Sequence, residues 1–194
     1  MRRFLPLLAL ILFCAVPVRA QVVAVYVTSS SNRFSNVQTG STQTDSGYQE
    51  QYVSFWTSGI GGGITLNFLP LGPARLGFDL RGSTRPGTVG ADTAMGGLKL
   101  AFSPPLLRIK PYLQASGGSV ATRTVNVSSG TGGGSFNNKY AAWEILGGID
   151  VPLMSIVDWR VLEVGGGTGL NVGLSSNVPS LSMFSINSGL VVHF

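Results

Sequence analysis

Large apolar side chains alternate with polar or small ones along much of the chain. Between Arg75 and Arg81 every second residue is leucine or phenylalanine, and charged residues occupy most of the other positions. The same alternation recurs from Leu98 to Phe102 and from Phe184 to Phe194. A period of two residues is typical of a β-strand with one apolar and one polar face. No long stretch fits the i, i+3, i+4 spacing of an amphipathic helix better.

This pattern predicts an all-β chain with eight strands. They cover residues 22–29, 53–68, 74–83, 92–103, 109–124, 141–152, 157–169 and 181–194. Short connections at 69–73, 103–108 and 153–156 alternate with long polar ones at 29–52, 84–91, 125–140 and 171–180. Short turns at one end and long loops at the other are the layout of an antiparallel, up-and-down transmembrane β-barrel. The short turns near Pro70 and Pro104 are then expected on the periplasmic side, together with both chain ends.

The first twenty residues have the composition of a secretory signal peptide. Arg2 and Arg3 precede an apolar run at 4–18, and a small-residue cleavage site ends at Ala20. The run is too short for a transmembrane helix, which needs about 20 apolar residues. The predicted organisation is therefore a signal peptide at 1–20 and one barrel domain at 21–194. Because Cys14 lies in the signal peptide, the mature barrel contains no cysteine.

Composition helps to decide which face of the barrel points outward. A secreted, lipocalin-like barrel with an apolar interior would show the same alternation. Charged residues are only 11% of the chain, less than half the share in a typical soluble domain. So few charges cannot cover a soluble exterior, which favours an apolar surface facing lipid. The basic residues form no cluster, so no nucleic-acid partner is expected.

The charged residues on the predicted polar faces balance in sign. They are Arg75, Arg81, Lys99 and Lys110 against Asp79, Glu144, Asp150 and Glu163. Buried charges need partners of opposite sign. The sequence therefore predicts that these eight side chains form an ion network in a water-poor lumen.

Catalytic, metal and cofactor sites find little support in the sequence. His193 is the sole histidine and is expected at the short-turn rim, where a general base would also need a nucleophile and an orienting acid. One histidine and one cysteine exclude most His/Cys metal sites. The triplets Gly61–Gly63, Gly132–Gly134 and Gly165–Gly167 lack the lysine of a phosphate-binding loop. No catalytic, metal or cofactor residue is predicted, and the carboxylates are interpreted as lumen ions rather than an acid pair.

The chain end carries the pattern Asn187-x-Gly189-x-x-Val192-x-Phe194. It resembles the C-terminal signal of bacterial outer-membrane proteins, which is read by the barrel-assembly machinery. The mature chain also resembles the small eight-stranded outer-membrane barrel families, which include the OmpA transmembrane domain and OmpX. This resemblance implies a bacterial outer-membrane location, a monomer surrounded by outer-membrane lipid and lipopolysaccharide, and assembly by that machinery.

Three functions remain to be weighed. The favoured one is a non-enzymatic structural or surface role, with exposed loops available for binding. A narrow channel for small solutes is the alternative, although eight strands leave a lumen just filled by side chains. A lipid-processing enzyme is least favoured, because such enzymes of similar fold place their histidine toward the outer rim. Tyr52, Trp56, Tyr140 and Trp143 fit an aromatic girdle at the outer interface, with core packing as the alternative.

Overall fold

A computed structural model describes residues 22–44, 47–87, 89–104, 108–125, 135–171 and 180–194. The predicted signal peptide lies outside these ranges. Within them, no helix has the length and hydropathy that a membrane span requires.

Eight strands make up the described chain. They are β1 (Val22–Thr44), β2 (Gly47–Leu71), β3 (Ala74–Arg85), β4 (Val89–Phe102), β5 (Lys110–Val125), β6 (Ser135–Pro152), β7 (Val157–Asn171) and β8 (Leu181–His193). Each strand pairs with the next, and β8 pairs antiparallel with β1 to close the barrel. The predicted eight-stranded antiparallel barrel is confirmed.

The strands are strongly staggered around the barrel. Starting at Val25 of β1 and passing from partner to partner through all eight strands, the path returns to β1 at Ser35, ten residues further along. Such a stagger requires strands that tilt from the barrel axis, by roughly 35–45° in closed barrels.

The strands at the long-loop end extend beyond their predicted bounds. The predicted loop at 29–52 is wrong, because β1 runs to Thr44 and β2 begins at Gly47. Similarly, β6 begins at Ser135 rather than at 141. The serine-, threonine- and asparagine-rich composition suggested a loop, but these residues continue the hydrogen-bonded ladder. Such small polar side chains are compatible with a strand whose outer face is not in contact with lipid.

Apolar side chains face outward along most of the barrel, as the scarcity of charge predicted. The exposed set includes Val27, Ile64, Phe78, Leu80, Leu98, Leu113, Ile145, Leu162, Ile186 and Leu190. The inward faces of the same strands carry buried polar and charged side chains. The set includes Thr65, Asp79, Lys99, Gln114, Asp150, Arg160, Glu163 and Asn187.

Toward the long-loop end the two faces exchange character. The lumen there holds an apolar cap, which we define as Phe34, Val37, Ala91, Met95, Val120, Tyr140, Ala142, Leu181 and Met183. Outside the barrel near this end, Arg33, Arg123 and Lys139 are exposed. An apolar interior with a polar exterior is the pattern of a protein in water, so the barrel wall continues above the lipid-facing band.

Two β-bulges keep residues three positions apart on the same face. In β1 the register shifts between Phe34 and Val37, and Asn36 adopts a positive φ of 63° within the bulge. Asparagine tolerates this left-handed conformation better than most residues. In β7 the register shifts between Arg160 and Glu163. The hydroxyl of Ser188 donates a hydrogen bond to the Arg160 carbonyl, at 3.0 Å, beside that bulge.

The aromatic side chains of the expected girdle divide between the two faces. Trp56 and Trp143 are outward-facing and about half exposed, and Trp56 makes an edge contact with Phe184 at 6.2 Å between ring centroids. Tyr52 is partly buried. For Tyr140 the alternative of core packing holds, because it is 1% exposed and belongs to the apolar cap. The reason is its position an odd number of residues from Trp143 on a regular strand, which puts it on the opposite face.

Candidate functional site in the lumen

The carboxylate of Glu163 is the centre of the lumen contacts. Arg81 donates to both of its oxygens, from Nη1 at 2.9 Å and from Nη2 at 3.1 Å. Arg160 Nη1 donates at 3.2 Å and Asn187 Nδ2 at 2.8 Å, and the Tyr112 hydroxyl completes the set. Five donors from four side chains saturate this carboxylate, which is the condition for burying a charge without a large penalty.

Asp79 is the second saturated carboxylate. Its oxygens accept hydrogen bonds from Tyr26 Oη at 2.9 Å, Thr65 Oγ1 at 2.7 Å, Gln114 Nε2 at 2.8 Å and Arg81 Nε at 3.2 Å. Gln114 also accepts from Arg81 Nη2 through its amide oxygen, at 3.0 Å. Because Arg81 binds both carboxylates, the two groups form one connected network.

Arg160 is fully buried in the middle of the lumen. Its guanidinium donates to both oxygens of Asp150, at 3.0 and 3.4 Å, and to Glu163. The guanidinium carbon also lies 4.4 Å from the ring centroid of Tyr26 and 4.9 Å from that of Tyr112. Cation–π contacts of this kind stabilise a desolvated guanidinium by up to about 2 kcal/mol each.

Two inward-facing glycines make room for these tyrosine rings. A Cβ at Gly63 would lie 2.3 Å from the Leu80 carbonyl oxygen and 2.5 Å from the Tyr26 hydroxyl, and one at Gly148 would lie 2.5 Å from the Tyr112 ring and hydroxyl. A larger residue at either position would therefore clash with a ring that packs on Arg160, and at Gly63 with the backbone of β3 as well. We call Tyr26, Asp79, Arg81, Tyr112, Gln114, Arg160 and Glu163 the lumen cluster.

The eight charged residues predicted for the lumen are only partly brought together. Asp79, Arg81 and Glu163 lie in the lumen cluster. Glu144 stands 3.9 Å from Arg81 Nη1, and Lys99 Nζ stands 3.7 Å from Asp150. Those distances allow an ion pair but no hydrogen bond.

Lys110 and Arg75 lie apart from the lumen cluster, at the short-turn end. Lys110 binds Asp158, at 2.6 Å, rather than a predicted acid. Arg75 is exposed at the rim and makes no ion pair within the described ranges, so its predicted membership of the network is wrong. It is the second residue of β3, next to the turn, where the lumen opens.

Two cavities flank the lumen cluster. On the long-loop side a chamber of about 40 Å³ lies between the cluster and the apolar cap. Arg85 lines it, is 3% exposed, and has no hydrogen-bond acceptor for Nε or Nη1. The Arg85 guanidinium carbon lies 5.6 Å from the ring centroid of Phe34. The chamber has room for a few water molecules, each of which needs about 10–15 Å³.

On the short-turn side a pocket of about 350 Å³ opens below the lumen cluster. We call it the short-turn pocket. His193 lines it, with Nε2 only 2.7 Å from Asp158 Oδ2, the same oxygen that binds Lys110. Among the described residues no hydroxyl is hydrogen-bonded to His193, so this histidine–aspartate pair lacks the nucleophile that a hydrolase triad requires.

Several lumen residues were not anticipated from the sequence. Arg160 and Asp158 were missed because simple alternation along β7 predicts that they face away from the side of the strand that carries Glu163. Only the bulge brings all three side chains to the lumen face. Tyr26, Tyr112 and Gln114 were missed because the alternation of a strand shows which residues face inward but not which of them donate hydrogen bonds to a buried charge. The described residues contain no cluster of side chains that could hold a metal ion.

Comparison with known proteins yields similarity of fold without similarity of sequence. No family model and no curated protein matches the chain. Solved structures do. The N-terminal β-barrel domain of Pseudomonas aeruginosa OprF matches with a TM-score of 0.52 at 15% identity, covering 88% of this chain and 97% of that one.

Two further structures give similar matches. Ail, the attachment invasion locus protein of Yersinia pestis, has a TM-score of 0.51 at 9% identity over 90% of this chain and 99% of that one. The outer-membrane protein OprG of Pseudomonas aeruginosa has a TM-score of 0.51 at 10% identity over 90% and 96%. The chain therefore has the fold of the small bacterial outer-membrane barrels, and its apolar exterior agrees with that location.

Proposed function

We propose that this protein is a non-enzymatic, integral outer-membrane barrel that is closed to solutes and acts through its long-loop end. The observation that supports this most is the double closure of the lumen. The lumen cluster fills the cross-section in the middle of the barrel, and the apolar cap fills it again toward the loops. An open channel would need a continuous water-filled path, and side chains fill the lumen at these two levels.

Planar-bilayer recording tests closure directly. Protein refolded in detergent and added to a lipid bilayer in concentrated KCl is expected to give no stepwise conductance above that of detergent alone. The variant Asp92→Asn, which alters an exposed ion pair with Arg123 and a hydrogen bond from Thr84, both away from the lumen cluster, should behave identically. Reproducible conductance steps from the wild-type protein would overturn the proposal and favour the narrow channel.

The enzymatic alternative centres on the pair formed by His193 and Asp158. Incubation with lipopolysaccharide or phospholipid is expected to release no fatty acid above the level of His193→Ala. Turnover by the wild-type protein that His193→Ala abolishes would assign a hydrolase instead. Asp158 already binds Lys110 through the same oxygen that faces His193, which supports a structural role for this pair.

The proposed orientation places the long loops at the cell surface and the short turns in the periplasm. A cysteine introduced at Gly40, in the long hairpin of β1 and β2, should react in whole cells with a membrane-impermeant reagent. A cysteine at Ser155, in the turn before β7, should react only after the outer membrane is permeabilised. The reverse labelling pattern would show that the barrel has the opposite orientation in the membrane.

Lipopolysaccharide is the proposed lipid partner at the surface side. Arg33 is exposed on the outer wall between its cross-strand neighbours Trp56 and Phe184, and Lys139 is exposed on β6. Cations beside an aromatic belt suit the phosphate groups of an outer-leaflet lipid. Lipopolysaccharide should raise the unfolding temperature of the wild-type protein more than that of Arg33→Gln/Lys139→Gln. An equal increase would contradict phosphate recognition by these residues.

A further inference from the structure

The short-turn pocket combines a suitable size with an excess of positive charge. Its volume of about 350 Å³ lies within the range of small-molecule sites. Arg75, Lys99, Lys110 and His193 line it together with only two acids, Asp150 and Asp158.

Both acids are already engaged. Asp150 receives two hydrogen bonds from the buried guanidinium of Arg160. Asp158 binds Lys110 at 2.6 Å and His193 at 2.7 Å. The cationic groups that remain for a ligand are therefore those of Lys99 and Arg75.

Lys99 forms the floor of the pocket. Its side chain is 6% exposed, its Nζ lies 3.9 Å from the ring centroid of Tyr112, and Asp150 stands at 3.7 Å. None of the hydrogen bonds within the described ranges uses this ammonium group. A buried ammonium has three donors, and the aromatic face and the distant carboxylate leave them unfilled.

The register of β3 and β4 places Arg75 beside Lys99 on the same inner face. Arg75 is opposite Ala101, and Lys99 is opposite Gly77, so the two cations are diagonal neighbours. Diagonal positions on one face of a sheet are about 7–8 Å apart. The Asn67 side chain lies over Gly77, and the small side chain of Ala101 leaves the pocket open beside it, which gives room for an oxyanion that accepts hydrogen bonds from Lys99 and Arg75.

We propose that the short-turn pocket binds a small soluble molecule bearing a carboxylate or phosphate group, held between Lys99 at the floor and Arg75 at the rim. The inward orientation of the lining side chains favours a soluble ligand over a lipid headgroup, which would have to bend around the barrel rim. This inference goes beyond the proposed function and does not depend on whether the lumen conducts.

Titration by NMR spectroscopy tests the site with inorganic phosphate and succinate as probes. The full mature barrel is held in uncharged detergent at constant ionic strength. Saturable shifts are expected for the methyl groups of Ala24 and Ala101, which line the pocket. Lys99→Met should weaken binding at least about tenfold, and Arg75→Gln should weaken it severalfold. Arg123→Gln, on the outer wall at the other end, should bind as the wild-type protein does.

Several results would overturn the proposal. They are shifts that rise linearly without saturation for both probes, equal affinity in Arg75→Gln and wild type, or shifts of the same methyl groups caused by phosphatidylglycerol in vesicles without added phosphate. The last would assign the pocket to a lipid headgroup. Arg75→Gln alters an exposed rim residue, so the test stands even where Lys99→Met fails to fold.

Discussion

Arg160 and Glu163 form a buried ion pair with Arg160 Nη1 3.2 Å from Glu163 Oε2, although they lie three positions apart on one β-strand. In a regular strand, residues three apart point to opposite faces. The bulge between them in β7 is therefore what makes the pair. It places a second guanidinium on the carboxylate that Arg81 already binds, and so connects β3 and β7 through the centre of the lumen.

Replacing Glu163 should strongly destabilise the barrel. Glu163→Leu leaves Arg81 and Arg160 buried without their shared acceptor, and it should lower the free energy of unfolding by about 3–5 kcal/mol. Urea unfolding in lipid vesicles measures this change. Asp92→Asn, which breaks a pair whose side chains are 43% and 50% exposed, should cost about 1 kcal/mol or less. Similar losses in the two variants would show that Glu163 is solvated.

Deleting Val161 should leave a barrel that still folds, because the deletion turns the bulge into a regular strand. Arg160 and Glu163 then lie two positions apart, as their partners Gly189 and Asn187 do, and both stay on the lumen face. Deleting Val164, beyond the bulge, should prevent folding, because it forces either Glu163 to face lipid or every later side chain of β7 to change face. Folding is read from the faster gel migration of unboiled barrel. Failure of the Val161 deletion together with normal folding of the Val164 deletion would contradict the assignment of the bulge.

Two adjacent glycines should respond differently to the same substitution. In Gly148→Ala the new methyl group lies 2.5 Å from the ring and hydroxyl of Tyr112, whereas in Gly147→Ala the neighbouring Tyr112 carbonyl oxygen is 3.9 Å away. Gly148→Ala should cost about 1–3 kcal/mol through overpacking, and Gly147→Ala about 0.5 kcal/mol or less. Adding Tyr112→Leu should remove most of the difference between them. Equal unfolding free energies for the two alanine variants would refute the close packing of Tyr112.

The three tryptophans should be in contact with lipid. Trp56, Trp143 and Trp159 are all outward-facing and 45–55% exposed. Their fluorescence in single-tryptophan variants should be quenched by lipids brominated near the headgroup. Tyr140→Trp in a tryptophan-free background reports from the apolar cap and should be quenched far less. Strong quenching at position 140 would place that residue on the outer wall.

Phe194 provides the test of the assembly signal. The aromatic ring is 76% exposed, and the backbone N–H donates to the Val23 carbonyl at 2.8 Å. Deleting Phe194 should sharply reduce folded barrel in cells, while leaving refolding into detergent in vitro nearly intact. Normal outer-membrane levels would refute the signal. Equal failure in vitro would instead favour a loss of apolar burial, worth roughly 1.5–3 kcal/mol.

Regular strands could be interpreted from the sequence, and bulged ones could not. In β3, simple alternation correctly separated Phe78 and Leu80 from Asp79 and Arg81. In β1 and β7 a single extra residue reverses the alternation, so Phe34 with Val37, and Arg160 with Glu163, share faces that parity assigns to opposite sides. The extension of β1 to Thr44 was missed for another reason, because the lipid-facing apolar pattern ends below it.

The connected lumen contacts also constrain how this sequence can change. Outer-wall positions such as Leu80 and Ile145 are about half exposed on the apolar exterior and take part in no hydrogen-bond network, so one aliphatic side chain can replace another independently. Within the lumen, a change at Arg81 alters the surroundings of Asp79, Gln114 and Glu163 at once. We therefore expect interior substitutions to occur in compensating sets and exterior ones to occur singly. Among related barrels that have diverged in sequence, the positions that covary should then lie mainly in the lumen, whereas outer-wall positions should vary independently of one another.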